Sequence, residues 1–175
     1  FVVAESSLAS WIPLFFEKGK QISLENAALI LTFFWLGVAL GRLYYAFAKT
    51  KSLKKSMLIH GSIALLLAFS MNLIQSEALS ILCVFGIGLS CGPLWPMLLA
   101  SCRHEFSKPH YIMYLVSTAS IGAFTGPLCT SLLITAFGVT HYFSIIGMYI
   151  LFLMVFLANL ITLKKKKKSS SSSLQ

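Results

Sequence analysis

Glu5 is the one acidic residue that falls inside an apolar run of this sequence, and Ser6, Ser7 and Ser10 follow it on the same stretch. A carboxyl flanked by hydroxyls offers a hydrogen-bonding arc that could hold a polar solute or exchange a proton. Counting back from Glu17 at about 1.5 Å per residue puts Glu5 about 18 Å below the nearest polar edge. A charge that deep costs about 2.5–3.5 kcal/mol on insertion scales, so Glu5 must face a cavity or a partner. The plainer outcome is a protonated acid bonded to a neighbouring helix.

Three indoles accompany it. Trp11, Trp35 and Trp95 all lie within apolar runs, with Trp35 about 14 Å deep. An indole facing a polar cavity can stack on a flat ligand such as a sugar ring and donate through its N–H; ordinary packing or an interfacial belt is the alternative. Pro93 and Pro96 remove backbone donors around Trp95, just after Ser90, and a broken ladder at depth is tolerated only beside protein or a cavity. Arg42 ends the second run above Gly37 and Gly41, and Arg103 with Glu105 ends the fourth. These charges read either as topology signals alone or as an inner latch, with Arg42 paired to an acid or a helix end on a neighbouring span. No metal-ligand spacing and no cofactor motif is present, and Cys83, Cys91, Cys102 and Cys129 read as reduced packing residues.

The elements that must position these side chains are six apolar runs, roughly Phe1–Phe16, Asn26–Phe47, Met57–Ile74, Leu79–Ser101, Tyr111–Ala136 and Tyr142–Leu163. About 20 helical residues cross a hydrocarbon core of about 30 Å. With 57% hydrophobic and 11% charged residues and a mean hydropathy of +0.83, the chain has too little polar surface for a water-soluble globule. All but Lys18 and Lys20 of the 14 Lys and Arg residues gather in every second gap: Arg42 to Lys55, Arg103 with Lys108, and Lys164 to Lys168. Those gaps are expected on the cytoplasmic side, and with them both ends of the six-span unit. The net charge of +9 therefore points to anionic lipid headgroups, at about 1 kcal/mol per basic residue, and not to nucleic acid. Residues 1–163 form one expected transmembrane bundle, and 164–175 a low-complexity tail expected to be unstructured. The chain opens on Phe1 with neither an initiator Met nor a basic flank, so it reads as the latter part of something longer, its first span shortened.

The two halves echo each other. Gly37 to Gly41 with Arg42 in the second run matches Gly122 to Gly126 with Pro127 in the fifth; Trp11 near Pro13 matches Trp95 near Pro96. Three spans followed by three like spans run in opposite senses, so the expected fold is all-α with two inverted three-helix repeats, an arrangement frequent in secondary transporters. Gly122 and Gly126 would in either case serve close helix packing.

The segment Glu5–Trp11, the run from Phe34 to Leu43 with its lysine-rich loop, and Gly88–Pro93 followed by Gly122–Pro127 resemble the C-terminal half of a major facilitator superfamily transporter. The acid and Trp in the first span, with Gly-Arg ending the second, are similar to fucose-permease-like sugar transporters. The resemblance implies half of a twelve-helix protein, a missing N-terminal six-helix half, a cavity between the halves and alternating access by rocking. It departs from the family where Ala39 and Leu40, with no Asp, precede Gly41 and Arg42. The expected function is secondary transport of a small polar solute such as a sugar, coupled to a proton or sodium. Glu5, Ser6, Ser10, Trp11, Trp35, Ser90 and Trp95 are the candidate cavity residues. A non-transporting membrane scaffold is the alternative reading. An intramembrane protease using Ser90 and His141 is remote, because about 20 Å separates them in depth and a general base must approach to about 3 Å.

Overall fold

The computed structural model describes residues 1–48, 52–105 and 110–172, and of residues 104, 105, 110 and 160–172 the backbone alone. Among them every regular element is helical. In chain order these are α1 (Val2–Leu14) running into a π-helical turn (Phe15–Gly19), α2 (Leu24–Phe47), α3 (Leu53–Ser70), α4 (Glu77–Cys91), α5 (Leu94–Glu105), α6 (His110–Phe137) and, after a 3-10 turn (Val139–His141), α7 (Tyr142–Ser172).

Local chemistry accounts for the breaks. Ser23 and Ser76 cap α2 and α4 by accepting from the Asn26 and Leu79 amides. Pro13 deletes a donor one residue from the end of α1, and the chain widens into the π turn at Phe15. Gly138, at φ 91°, lets the chain turn from α6 into α7. Around Pro93, α4 gives way to α5, yet Glu77–Arg103 remains one apolar span of 27 residues.

Five helical stretches are long and apolar enough to cross a membrane: Leu24–Phe47, Leu53–Ser70, Glu77–Arg103, Tyr111–Phe137 and Val139–Asn159. Large apolar side chains such as Phe47, Leu66, Phe124, Leu132 and Phe152 lie exposed on the outside of the bundle, as a lipid solvent requires. The chain is an integral, multi-pass membrane protein. α1, at 13 residues, is shorter than these five and packs against α2, α6 and α7, burying Leu8 and Ile12 completely, as the π turn after it buries Phe16.

Glycines set the helix pairing. α2 lies along α4, where a Cβ at Gly37, Gly41, Gly88 or Gly92 would come closer than 3.0 Å to a backbone carbonyl of the facing helix. One detail explains why Gly41 tolerates no side chain. Pro93 has no N–H, so the Leu89 carbonyl loses its helical donor, and it is that carbonyl which lies against the Gly41 Cα. α6 lies along α1 through Gly126, against Val3 and Ser6, and α3 along α7 through Gly61 and Gly147, against Met154 and Phe69.

Two features differ from or add to the sequence reading. Helical backbone continues from α7 through the Lys164–Lys168 run to Ser172, where composition suggests an unstructured tail; lysine is itself a good helix former, and an established helix propagates at little cost. At the opposite end of the bundle Lys20 donates to the Ile74 carbonyl and, at 2.9 Å, to Ser80 Oγ, with its ammonium 5.8 Å from the ring centres of Phe15 and Phe16. Burial holds that ammonium below the ordinary lysine range. This clasp joins the π turn to the α3–α4 connection.

Candidate functional site

Helix direction brings Glu5 and Arg42 together. Side chains on a helix lean toward its N-terminus. α1 and α2 are antiparallel neighbours, so Glu5 leans toward the start of α1 while Arg42, near the end of α2, leans back toward it. Arg42 Nη2 donates to Glu5 Oε1 at 3.2 Å. The carboxylate is 13% exposed and the guanidinium side chain 47% exposed, so the pair is sealed on the acid's side and open on the base's. This ion pair joins two helices, whereas Lys18 with Glu17 is a local surface pair at 2.9 Å.

The outer surface of α2 carries two stripes. Leu29, Phe33, Leu36, Leu40, Leu43 and Phe47 form a broad apolar one. Ala28, Thr32, Trp35, Ala39, Arg42 and Ala46 form a second, alternating four and three residues apart, and every member of both stripes is exposed. Alternating spacing of small and polar residues is the pattern of a seam against another helix, which lipid would not require. Trp35 is on this second stripe, 45% exposed, its ring edge-on to Phe34 at 5.3 Å.

The other candidates fall on different faces. Ser6 Oγ donates to the Val3 carbonyl at 3.3 Å and lies 3.5 Å from that of Gly122. Trp11 Nε1 donates to the Pro127 carbonyl at 3.0 Å. Both residues thus stitch α1 to α6, and Trp11 spends its donor there. Ser10 is exposed, and Ser90 is buried inside the bundle. Trp95 lines a cavity of about 190 Å³ with Val3, Leu98, Leu115, Thr118 and Gly122, between α1, α5 and α6. Glu5 is paired with Arg42 of α2 and does not line that cavity, so the structure does not gather the seven candidates around one space. Gly37 and Gly41 form part of the α2–α4 crossing, and Gly126 with Gly122 the α1–α6 contact. Arg103 is exposed near the end of α5; the side chain of Glu105 lies outside the described residues, as do Lys49, Lys51, Lys108 and the side chains of Lys164–Lys168.

A buried hydroxyl cluster escapes a reading of the sequence. The Thr130 hydroxyl lies 2.9 Å from Ser7 Oγ and 3.2 Å from the Tyr149 hydroxyl, and Tyr142 donates its hydroxyl to the Ser7 and Leu8 carbonyls at 3.2 and 3.1 Å. Ser7, Thr130 and Tyr142 are fully buried. Only Ser7 carries a signal in sequence, through its place beside Glu5. The cluster ties α1, α6 and α7 together, and Thr130→Val, which keeps the shape and removes the hydroxyl, is expected to lower stability by about 1 kcal/mol. Thermal denaturation of the purified full-length protein checks this against Thr135→Val, whose hydroxyl is exposed and bonds its own helix; equal melting temperatures would contradict it.

Comparison with known proteins agrees with this architecture. The family model described as Major Facilitator Superfamily matches residues 1–175. The Protein TsgA homolog of Buchnera aphidicola subsp. Baizongia pistaciae (strain Bp) is 24% identical over 142 residues, which cover 79% of this chain and 37% of that protein. The chain therefore spans little more than a third of that relative's length. No solved structure matches.

Proposed function

Since the chain belongs to the Major Facilitator Superfamily, we propose that it is the C-terminal six-helix half of a secondary transporter that moves a small polar solute by alternating access. The observation that carries this reading is the Glu5–Arg42 pair. A charged pair inside a membrane bundle, with its basic partner open to the outside of the six-helix unit, suits a site completed by a second half. The α2 stripe that includes Trp35 and Arg42 supports the same docking face.

Helix pairing supports the inverted repeat. If the first span corresponds to the fourth, the second to the fifth and the third to the sixth, then the α2–α4 pair maps onto the pair of α6 with α1. The α3–α7 pair maps onto itself. Glycines at the α2–α4 and α1–α6 crossings lie on the second and fifth spans, as that correspondence requires. The basic ends of α2 and α5 and the lysine run of α7 would then lie in the cytoplasm, with Arg42 at the inner mouth and the Lys20 clasp on the outer side.

Glu5 is the coupling group in this reading, loading a proton or a cation that competes with Arg42 for its carboxylate. In the full-length protein, Glu5→Gln is expected to abolish uphill accumulation while preserving downhill exchange and folding. Proteoliposome uptake with and without an imposed pH gradient measures this; unchanged pH-driven accumulation in the variant would rule out coupling at Glu5. Cysteines placed at Trp35 and Arg42 should react with small aqueous thiol reagents in a cysteine-free background. Inert positions would favour a membrane scaffold over a transporter.

A further inference from the structure

The imbalance within the Glu5–Arg42 pair bears on what the solute is. Glu5 is 13% exposed and engages Arg42 through one carboxylate oxygen. Arg42 is half-exposed and gives Glu5 one N–H. A guanidinium has five donors in a planar fork, so an open edge is left that matches a carboxylate or phosphate oxygen pair. A neutral sugar satisfies neither charge. A small anion can dock on that edge without moving Arg42 away from Glu5.

Once it docks, one guanidinium faces two negative groups in a low-dielectric setting. The excess charge is relieved when a proton settles on Glu5, the more enclosed of the two acids. The ionisable groups around Glu5 do not offer another way out. α2 contributes Arg42 and α4 the buried Cys91 thiol. Toward α1, α6 presents the Gly122 and Pro127 carbonyls and the Thr130 hydroxyl, while the Tyr142 and Tyr149 hydroxyls of α7 are engaged at Ser7, Leu8 and Thr130. Resting on the transporter reading above, we propose that the solute is a small organic anion held by the open edge of Arg42, and that each anion travels with one proton carried on Glu5. One negative and one positive charge enter and leave together, and no bond within the solute changes.

The test uses the purified full-length protein with gluconate and lactate as anionic probes, glucose as the neutral one and ethanolamine as the cationic one. Phenylglyoxal modification of Arg42, followed by mass spectrometry, reports occupancy of the guanidinium. A pH dye in weak buffer reports proton uptake. Gluconate or lactate is expected to slow the modification, with one proton taken up per anion bound and with protection weakening as pH rises. Glu5→Gln should keep the protection, make it independent of pH and abolish the proton uptake. Arg42→Lys, followed by intrinsic Trp fluorescence in place of phenylglyoxal, should weaken anion binding about tenfold, as when one charge-assisted hydrogen bond is lost. Protection by glucose or ethanolamine equal to that by the anions, anion protection without proton uptake, or no protection by either anion would each overturn the proposal. Uptake of the same probes into proteoliposomes separates the two claims. Accumulation of glucose without anion protection sinks the anion site and leaves the transporter. A protected Arg42 in a protein that accumulates none of the four probes counts against the transporter and leaves the anion site.

Discussion

Gly88→Leu should leave no folded protein, and Gly88→Ala should destabilise it by about 1–3 kcal/mol, the range for forcing extra volume into a packed interior. The reason is what the new Cβ meets. At Gly88 it falls closer than 3.0 Å to the Phe34 carbonyl, part of the α2 backbone, and backbone cannot rotate out of the way as a side chain can. The same holds in reverse at Gly37 against Phe85 and at Gly41 against Leu89, so the two helices would have to separate along the whole crossing. Gly86 supplies the control. Its added Cβ would meet only Leu67 Cδ1, the far end of a flexible side chain, and Gly86→Ala should cost less than about 1 kcal/mol because helix propensity improves at the same time. Melting temperature and the yield of monodisperse full-length protein read both. Gly88→Ala behaving like Gly86→Ala would mean that α2 and α4 do not cross this closely.

The second large effect concerns which half of the Glu5–Arg42 pair can be removed. Arg42→Ala leaves a carboxylate that is 13% exposed without its counter-charge, and breaking an enclosed pair in this way costs about 3–5 kcal/mol while the acid stays ionised. Glu5→Gln leaves a guanidinium that is 47% exposed and can find water or headgroup oxygen, so it should cost less than about 1 kcal/mol. Combining Arg42→Ala with Glu5→Gln should recover most of the loss, because the amide needs no counter-charge. Thermal stability across this double-mutant cycle checks the argument. Equal single losses, or a double variant no better than Arg42→Ala, would show that the two side chains do not depend on each other.

Five of the six expected spans were legible in the sequence, and their edges nearly so; the first run, Phe1–Phe16, is not among the helices long and apolar enough to cross. The run read as Asn26–Phe47 is α2 at Leu24–Phe47, and the run read as Tyr111–Ala136 is α6 at His110–Phe137. The third is displaced, since α3 begins at Leu53 and takes in Lys54 and Lys55 before the apolar residues start. Hydropathy marks where hydrocarbon begins, whereas a helix persists into the headgroups because its backbone still gains its own hydrogen bonds. Residue types carried part of the site as well. An acid at depth and an arginine closing the next helix are each conspicuous, and Pro93 announces the break between α4 and α5.

Partner choice was not legible. Gly37 and Gly41 suggest an internal echo of Gly122 and Gly126, but nothing local says that they press against Gly88 and Gly92. Ser6 and Trp11 look like cavity residues from sequence, and the structure engages both with α6 carbonyls. Thr130, Tyr142 and Tyr149 carry no mark that separates them from exposed hydroxyls such as Thr125 and Thr135.

By itself the sequence determined the solvent, the number and rough limits of the apolar runs, and the placement of charge in alternate gaps. These follow from local terms: each run must satisfy its own backbone in lipid, and each cation resists transfer across it. The tertiary structure alone decided which faces meet, which glycines touch, and that Glu5 belongs to Arg42. In water an apolar stripe tells a helix which side to bury. Here lipid is as apolar as the protein interior, so both sides of a helix read alike until shape and a few hydrogen bonds choose between them.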